Sequence, residues 1–249
     1  MTSVQINSDM GEGFGLYRIG DDRALMPFID AANVACGFHA ADPMVMRDTV
    51  RLAKAFGVSV GAHPSLPDLQ GFGRREMKIG ADELAAAITY QVGALKAFLD
   101  AEEIPLSHVK PHGALYSMAA RDEAIANGIA DAVAPFGVPL FGLPGTLHET
   151  VYRSRGIPFV AEFFVDLDYD ANGHVIITRS HAAIDPELAA DRAARAVIER
   201  KVRAIDGSDV DIEAKTLCIH SDTPNAPALA AAVFARLAGE PGRRSVPRP

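Results

Sequence analysis

Five times in this chain a short apolar run of β-forming residues breaks into a cluster of His, Asp, Glu or Lys. Val4-Gln5-Ile6 runs into Asn7-Ser8-Asp9-Met10-Gly11-Glu12, Val34-Ala35-Cys36 into Gly37-Phe38-His39, and Val58-Ser59-Val60 into Gly61-Ala62-His63. His108-Val109 then runs into Lys110-Pro111-His112, and Leu217-Cys218-Ile219 into His220-Ser221-Asp222. An α/β fold gathers its chemistry at the carboxyl ends of parallel strands, so repeated endings of this kind point to one polar pocket. A single histidine after a strand is most often structural. His39, His63, His112 and His220, each after a different run, together imply metal ligation, proton shuttling or oxyanion donation. Asp9 and Glu12 add carboxylates to the same rim, and Asp9, His39 and His63 are the candidate ligands of a divalent metal. The competing reading of Asp9 is a loop-capping Asx turn.

A lysine at the end of a buried strand is costly unless it faces a polar pocket or an acid. Lys110 is therefore a candidate to polarise a carbonyl, bind a carboxylate or hold a phosphate. Its structural alternative is pairing with Glu162 or Asp166 at the end of a sixth apolar run. Gly71-Phe72-Gly73-Arg74-Arg75 combines glycines with two cations, as an anion-binding loop or a lid would. There is no G-x-x-x-x-G-K-[ST] phosphate loop, no G-x-G-x-x-G and no G-x-S-x-G elbow. Nucleotide binding by the usual loops and serine-hydrolase chemistry are thus unsupported.

The elements that must position these residues alternate. Asp42-Pro43 starts a helix as N-cap and first helical residue, and Gly57 stops it. Leu84, Ile88, Val92, Leu95 and Leu99 recur at helical spacing after Asp82. Further helices are predicted over 122–136, from Asp185-Pro186 to about 203, and over 226–237. The fifth and sixth strands are placed at 139–143 and 158–164, and Asp170-Ala171-Asn172-Gly173-His174 reads as a hairpin turn. Strands alternating with helices make a parallel sheet, with a closed or nearly closed barrel preferred to an open doubly wound sheet. One domain over 1–238 and a disordered tail over 239–249 are expected.

The 249-residue chain, with 49% hydrophobic and 22% charged residues, can bury a substantial core. Its net charge of −8 argues against nucleic acid as a partner. Neither a signal peptide nor a membrane span is evident, and two cysteines in apolar runs fit a reducing, cytoplasmic setting. Oligomeric state is left open, a homo-oligomer included.

Several of these segments resemble the LamB/YcsF family: Asn7-x-Asp9-Met10-Gly11-Glu12, Ala35-Cys36-Gly37-Phe38-His39-Ala40-x-Asp42-Pro43, Gly61-Ala62-His63-Pro64, Gly71-Phe72-Gly73-Arg74-Arg75, Val109-Lys110-Pro111-His112-Gly113-Ala114-Leu115-Tyr116 and Cys218-Ile219-His220. The resemblance implies an α/β fold, a distorted seven-stranded (β/α) barrel of the glycoside hydrolase/deacetylase type. It also implies ATP-dependent opening of 5-oxoproline to L-glutamate, in company with 5-oxoprolinase subunits B and C. For that reaction, residue type and placement make Asp9, His63, Lys110 and His112 the expected catalytic residues, with Asp9 or His63 as base and Lys110 and His112 holding the oxyanion. Glu12, His39, Arg74, Arg75, Glu162, Asp166, His220 and Asp222 bind substrate. Many relatives carry arginine where Leu167 stands and glycine where Ser221 stands, which leaves a related lactam open as substrate. The alternatives are a metal-dependent carbohydrate deacetylase, by analogy of fold, and a non-catalytic binding subunit.

Overall fold

The computed structural model describes residues 4–176 and 182–239. Its strands are β1 (Gln5–Met10), β2 (Ala31–Ala35), β3 (Ser59–His63), β4 (Leu106–Val109), β5 (Leu140–Gly142), β6 (Phe159–Phe164), β7 (Asp168–Tyr169), β8 (Val175–Ile176), β9 (Lys201–Arg203), β10 (Asp209–Asp211) and β11 (Thr216–Ile219). Seven of them close a parallel barrel in the order β1-β11-β6-β5-β4-β3-β2. Asn7 pairs with Cys218 on one side of β1 and with Ala31 on the other, so the last barrel strand closes on the first. β7–β8 and β9–β10 are antiparallel hairpins inserted between β6 and β11.

The helices are α1 (Asp22–Leu25), α2 (Pro43–Phe56), α3 (Ala81–Ala101), α4 (Gly113–Ala119), α5 (Glu123–Val133), α6 (Leu147–Ser154), α7 (Pro186–Ala194) and α8 (Ala226–Arg236). Asp42 caps α2 by accepting from the Met44 and Val45 amides, and Gly57 ends it at φ 62°. Such a cap contributes about 1 kcal/mol. Asp122 and Asp185 cap α5 and α7 in the same way. Ile88, Val92, Leu95 and Leu99 of α3 are fully buried in the apolar layer between barrel and helices.

Two expectations need correction. The helix after Asp185 does not run to 203: a π-helical turn follows α7 and ends at Glu199, Arg200 adopts φ 56°, and the chain turns into β9. Asp209 holds both Arg195 and Arg203, and Val202 pairs with Val210, so the hairpin overrides an Ala- and Arg-rich helical pattern. The helix expected over 122–136 is α5 followed by a 3-10 turn, Ala134–Phe136. Beyond residue 239 the expected tail lies outside the described residues.

Along β1, β6 and β11, alternate residues share the inner face. That face is polar: Asn7 and Asp9, Glu162, and Thr216 with Cys218 all project into one bonded network inside the barrel.

Candidate functional site

The network starts below the pocket. Ser107 Oγ donates to His108 Nδ1 (2.7 Å), and His108 Nε2 donates to Asn33 Oδ1 (2.6 Å). Asn33 Nδ2 then donates to Asn7 Oδ1 (2.7 Å) and to Asp9 Oδ1 (2.8 Å), while Asn7 Nδ2 donates to Thr216 Oγ1 (2.7 Å). Burial lowers His108 to about 3, so it is a neutral strut in this chain. Gly61 makes room for it: a Cβ there would lie 2.3 Å from the His108 ring.

Lys110 sits above this layer with its ammonium hydrogen-bonded to Asp9 and Cys218 and ion-paired with Glu162. Nζ lies 2.9 Å from Asp9 Oδ1, 3.1 Å from Glu162 Oε1 and 3.0 Å from Cys218 Sγ. Burial works against its charge, but Asp9, Cys218 and Glu162 outweigh it and hold the ammonium well above the ordinary lysine value. Burial would likewise raise Asp9, yet His63 and Lys110 hold its carboxyl well below the usual carboxylate range. Asp9 is therefore ionised at neutral pH, with Oδ1 fixed by Lys110 and Asn33. Its Oδ2 faces His63 Nε2 at 3.4 Å.

The histidines form a second layer. His63 Nδ1 donates to the Lys110 carbonyl (2.7 Å), and His112 Nε2 donates to the Phe72 carbonyl (2.8 Å). His39 stacks on His112 with ring centroids 3.7 Å apart. Burial lowers both His39 and His112 well below the ordinary histidine value. Glu12 Oε1 lies 3.4 Å from both His39 Nε2 and His112 Nδ1, and Glu12 Oε2 accepts from Ser221. Burial and the neighbouring Asp9 and Asp222 raise the Glu12 carboxyl. The Gly71–Arg75 region holds this layer through its backbone. Phe72, at φ 55°, offers its carbonyl to His112, and Gly73 offers its own to the Ala114 amide. Gly73 and Gly113 both have positive φ and approach so closely that a Cβ on Gly113 would lie 2.7 Å from the Gly73 oxygen.

A cavity opens onto both layers. Asp9, His63, Lys110, His112, Arg74 and His220 give it polar walls, and Tyr116, Phe164 and Leu167 an apolar one. Beside Asp9, with a ring nitrogen within 4.8 Å of its carboxylate, His220 donates from Nδ1 to Asp166 (3.0 Å), and Asp166 also accepts from the His220 amide and from Thr223 Oγ1. Burial opposes a charge on His220, but Asp166 prevails and raises its pKa. Arg74 pairs with Asp222 at 2.8 Å. A carboxylate and a protonated imidazole lining one small cavity can deprotonate a water and protonate a leaving group.

The structure brings Asp9, Glu12, His39, His63, Lys110, His112, Glu162, Asp166, His220, Arg74 and Asp222 to this one end of the barrel. Arg75 differs: it turns away to bind Asp68 and is outside the cavity lining. Glu12, His39, His63 and His112 stand together as a buried group of potential metal ligands, and Asp9, beside Lys110, falls in a second such group with Cys218 and His220. Sequence reading missed Asn7, Asn33 and His108. A polar residue at every second position of an apolar run was the available signal.

The LamB/YcsF family pattern matches residues 4–246. The A component of a 5-oxoprolinase from Thermus thermophilus is 51% identical over 234 residues, covering 92% of this chain and 94% of that one. An A component of 5-oxoprolinase from Pseudomonas aeruginosa is 48% identical over the whole length of both chains. The crystal structure of a lactam utilization protein, also from Thermus thermophilus, superposes with a TM-score of 0.89 at 49% identity, covering 95% of this chain and 96% of that one.

Proposed function

Because this chain belongs to the LamB/YcsF family, we propose that it is the lactam-opening component of an ATP-dependent 5-oxoprolinase, working with partner subunits B and C on 5-oxoproline. The observation that carries this reading is the meeting of Asp9 and His220 in one cavity, with a carboxylate oxygen and a ring nitrogen within 4.8 Å of each other. Asp9 is ionised with a single oxygen turned to His63, and His220 is backed by Asp166.

A lactam is an unreactive amide, and phosphorylation of its carbonyl oxygen by ATP makes the ring carbon electrophilic. Water adds to that carbon and gives its proton to Asp9. The ring C–N bond then breaks as His220 protonates the nitrogen, leaving an acyl phosphate. A second water hydrolyses it to L-glutamate and phosphate. Lys110, held between Asp9, Glu162 and Cys218, serves as a positioning residue for Asp9. Arg74 faces the substrate's anionic groups, and Leu167 belongs to the apolar wall on which the ring methylenes pack. ATP is handled with the partner subunits, since this chain has none of the usual phosphate loops. Among the described residues no helix is long and apolar enough to cross a membrane. The buried free thiols Cys36 and Cys218 fit a cytoplasmic setting.

The test is reconstitution with B and C, following glutamate formed from 5-oxoproline and, in parallel, ring opening of unsubstituted 2-pyrrolidinone. ATP-dependent turnover that needs all three subunits and favours 5-oxoproline supports the proposal. Turnover that persists without this chain refutes it.

A further inference from the structure

Buried lone pairs beside the cavity converge on one point. His63 commits its Nδ1 proton to the Lys110 carbonyl and His112 commits its Nε2 proton to the Phe72 carbonyl. A carbonyl can only accept, so in the neutral rings His63 Nε2 and His112 Nδ1 are both bare acceptors. They nevertheless face each other at 2.9 Å. Glu12 Oε1 stands 3.4 Å from the same His112 nitrogen, fully buried and with no hydrogen-bond partner. A proton between the two rings would also face Asp9 Oδ2, 3.4 Å from His63 Nε2, and would still leave Glu12 Oε1 without a hydrogen-bond partner. One cation would satisfy all three.

We infer that Glu12, His63 and His112 form a binding site for one divalent cation of the zinc type. Two imidazoles and a carboxylate are donors suited to that ion. Adjacent vertices of a tetrahedral shell with such bond lengths are about 3.4 Å apart, the separation of Glu12 Oε1 from His112 Nδ1, and all three donors lie within 4.8 Å of one another. Both histidines have the outer carbonyl partner that fixes a ligating ring with its lone pair inward. The surrounding charge agrees: Asp9 and Glu162 flank the Lys110 cation, and Arg74 is already paired with Asp222. His39 is excluded from the ligand set by its stacking. Its plane lies parallel to His112 at 3.7 Å, so an ion in the plane of His112 sits off the plane of His39. His39 instead walls the site, with Nε2 turned to Glu12 Oε1 at 3.4 Å. His63 and His112 also line the cavity, so the fourth coordination position opens toward substrate, where a cation supplies Lewis acidity.

This site is independent of the lactam reading and is measured on the purified full chain alone. After chelator treatment and re-addition of Zn2+, elemental analysis of the desalted protein should find about one equivalent per chain. Co2+ should give the intense visible bands of a four-coordinate N/O site. The isosteric Glu12→Gln variant should bind at least about tenfold more weakly with an unchanged circular dichroism spectrum, and His39→Phe should keep the stoichiometry. Wild type that takes up no stoichiometric metal while folded, with nitrogen NMR finding an imidazolium at His63 or His112, overturns the site. Unweakened binding by Glu12→Gln, or its loss in His39→Phe, overturns the ligand assignment.

Discussion

Replacing Lys110 by methionine keeps most of the side-chain volume and removes the cation on which Asp9, Glu162 and Cys218 converge. All four groups are buried, with Lys110 and Asp9 each 2% exposed and Glu162 and Cys218 fully covered. Removing one partner of a buried ion pair costs about 3–5 kcal/mol, because the remaining charge has neither water nor a counter-ion. Lys110→Met should therefore lose about that much in urea unfolding. Asp9→Asn alone should cost less: Lys110 keeps Glu162, and the amide oxygen can still accept from Asn33. In the double variant the orphaned Asp9 charge is gone. Its destabilisation should fall short of the sum of the single losses by at least about 2 kcal/mol, the coupling expected of residues sharing one ionic network. A Lys110→Met loss below about 1 kcal/mol, or strict additivity in the double variant, would refute the claim that Lys110 neutralises and positions Asp9.

Three further outcomes follow from the same geometry. Burial lowers His148 to about 3, so between the unfolded value near 6.5 and that pH the unfolded chain holds a proton the native state refuses. Stability from this group is then lost as pH falls, by about 2 kcal/mol between pH 7 and 5. The gap between wild type and His148→Gln in urea midpoints should narrow by that amount, and a gap unchanged over this range contradicts it. Gly61→Ala places a Cβ against a His108 ring already stacked on Phe141 at 4.0 Å. It should cost about 1–3 kcal/mol and slow turnover by disturbing Asn33 and Asp9; wild-type melting and rate would show that His108 is not a strut. If protonated His220 is the acid for the ring nitrogen, kcat/KM falls as pH rises through its raised pKa. Asp166→Asn should move that basic limb to lower pH, and an unmoved limb removes His220 from the role.

The polar strand endings were legible because buried parallel strands are apolar runs, against which Asp9, His63, Lys110 and His220 stand out. Helix starts were legible where Asp-Pro pairs fixed both the cap and the first φ, at Asp42 and Asp185. The helix after Asp185 was over-extended because Ala and Arg favour a helix locally, while the grip of Asp209 on Arg195 and Arg203 exists only after the chain has turned back. α4 and α6 were too short to leave a periodic signal. The support under the site was hidden for another reason. Asn7 meets Thr216 and Lys110 meets Asp9 only when the barrel closes, across 209 and 101 residues of sequence. Nor could residue type alone assign Lys110 to Asp9 and Glu12 to the histidines.

The rate of glutamate formation from 5-oxoproline and ATP by the three-subunit complex, with Asp9→Asn in place of the wild-type chain, tests the account most directly. Lys110 and Asn33 still have an oxygen to bind in this variant, while the carboxylate that activates water is gone. The account predicts a loss of about 100-fold or more in kcat, with the complex still assembled. A rate within about threefold of wild type, well short of the general-base contribution, would contradict it and place the chemistry outside this barrel.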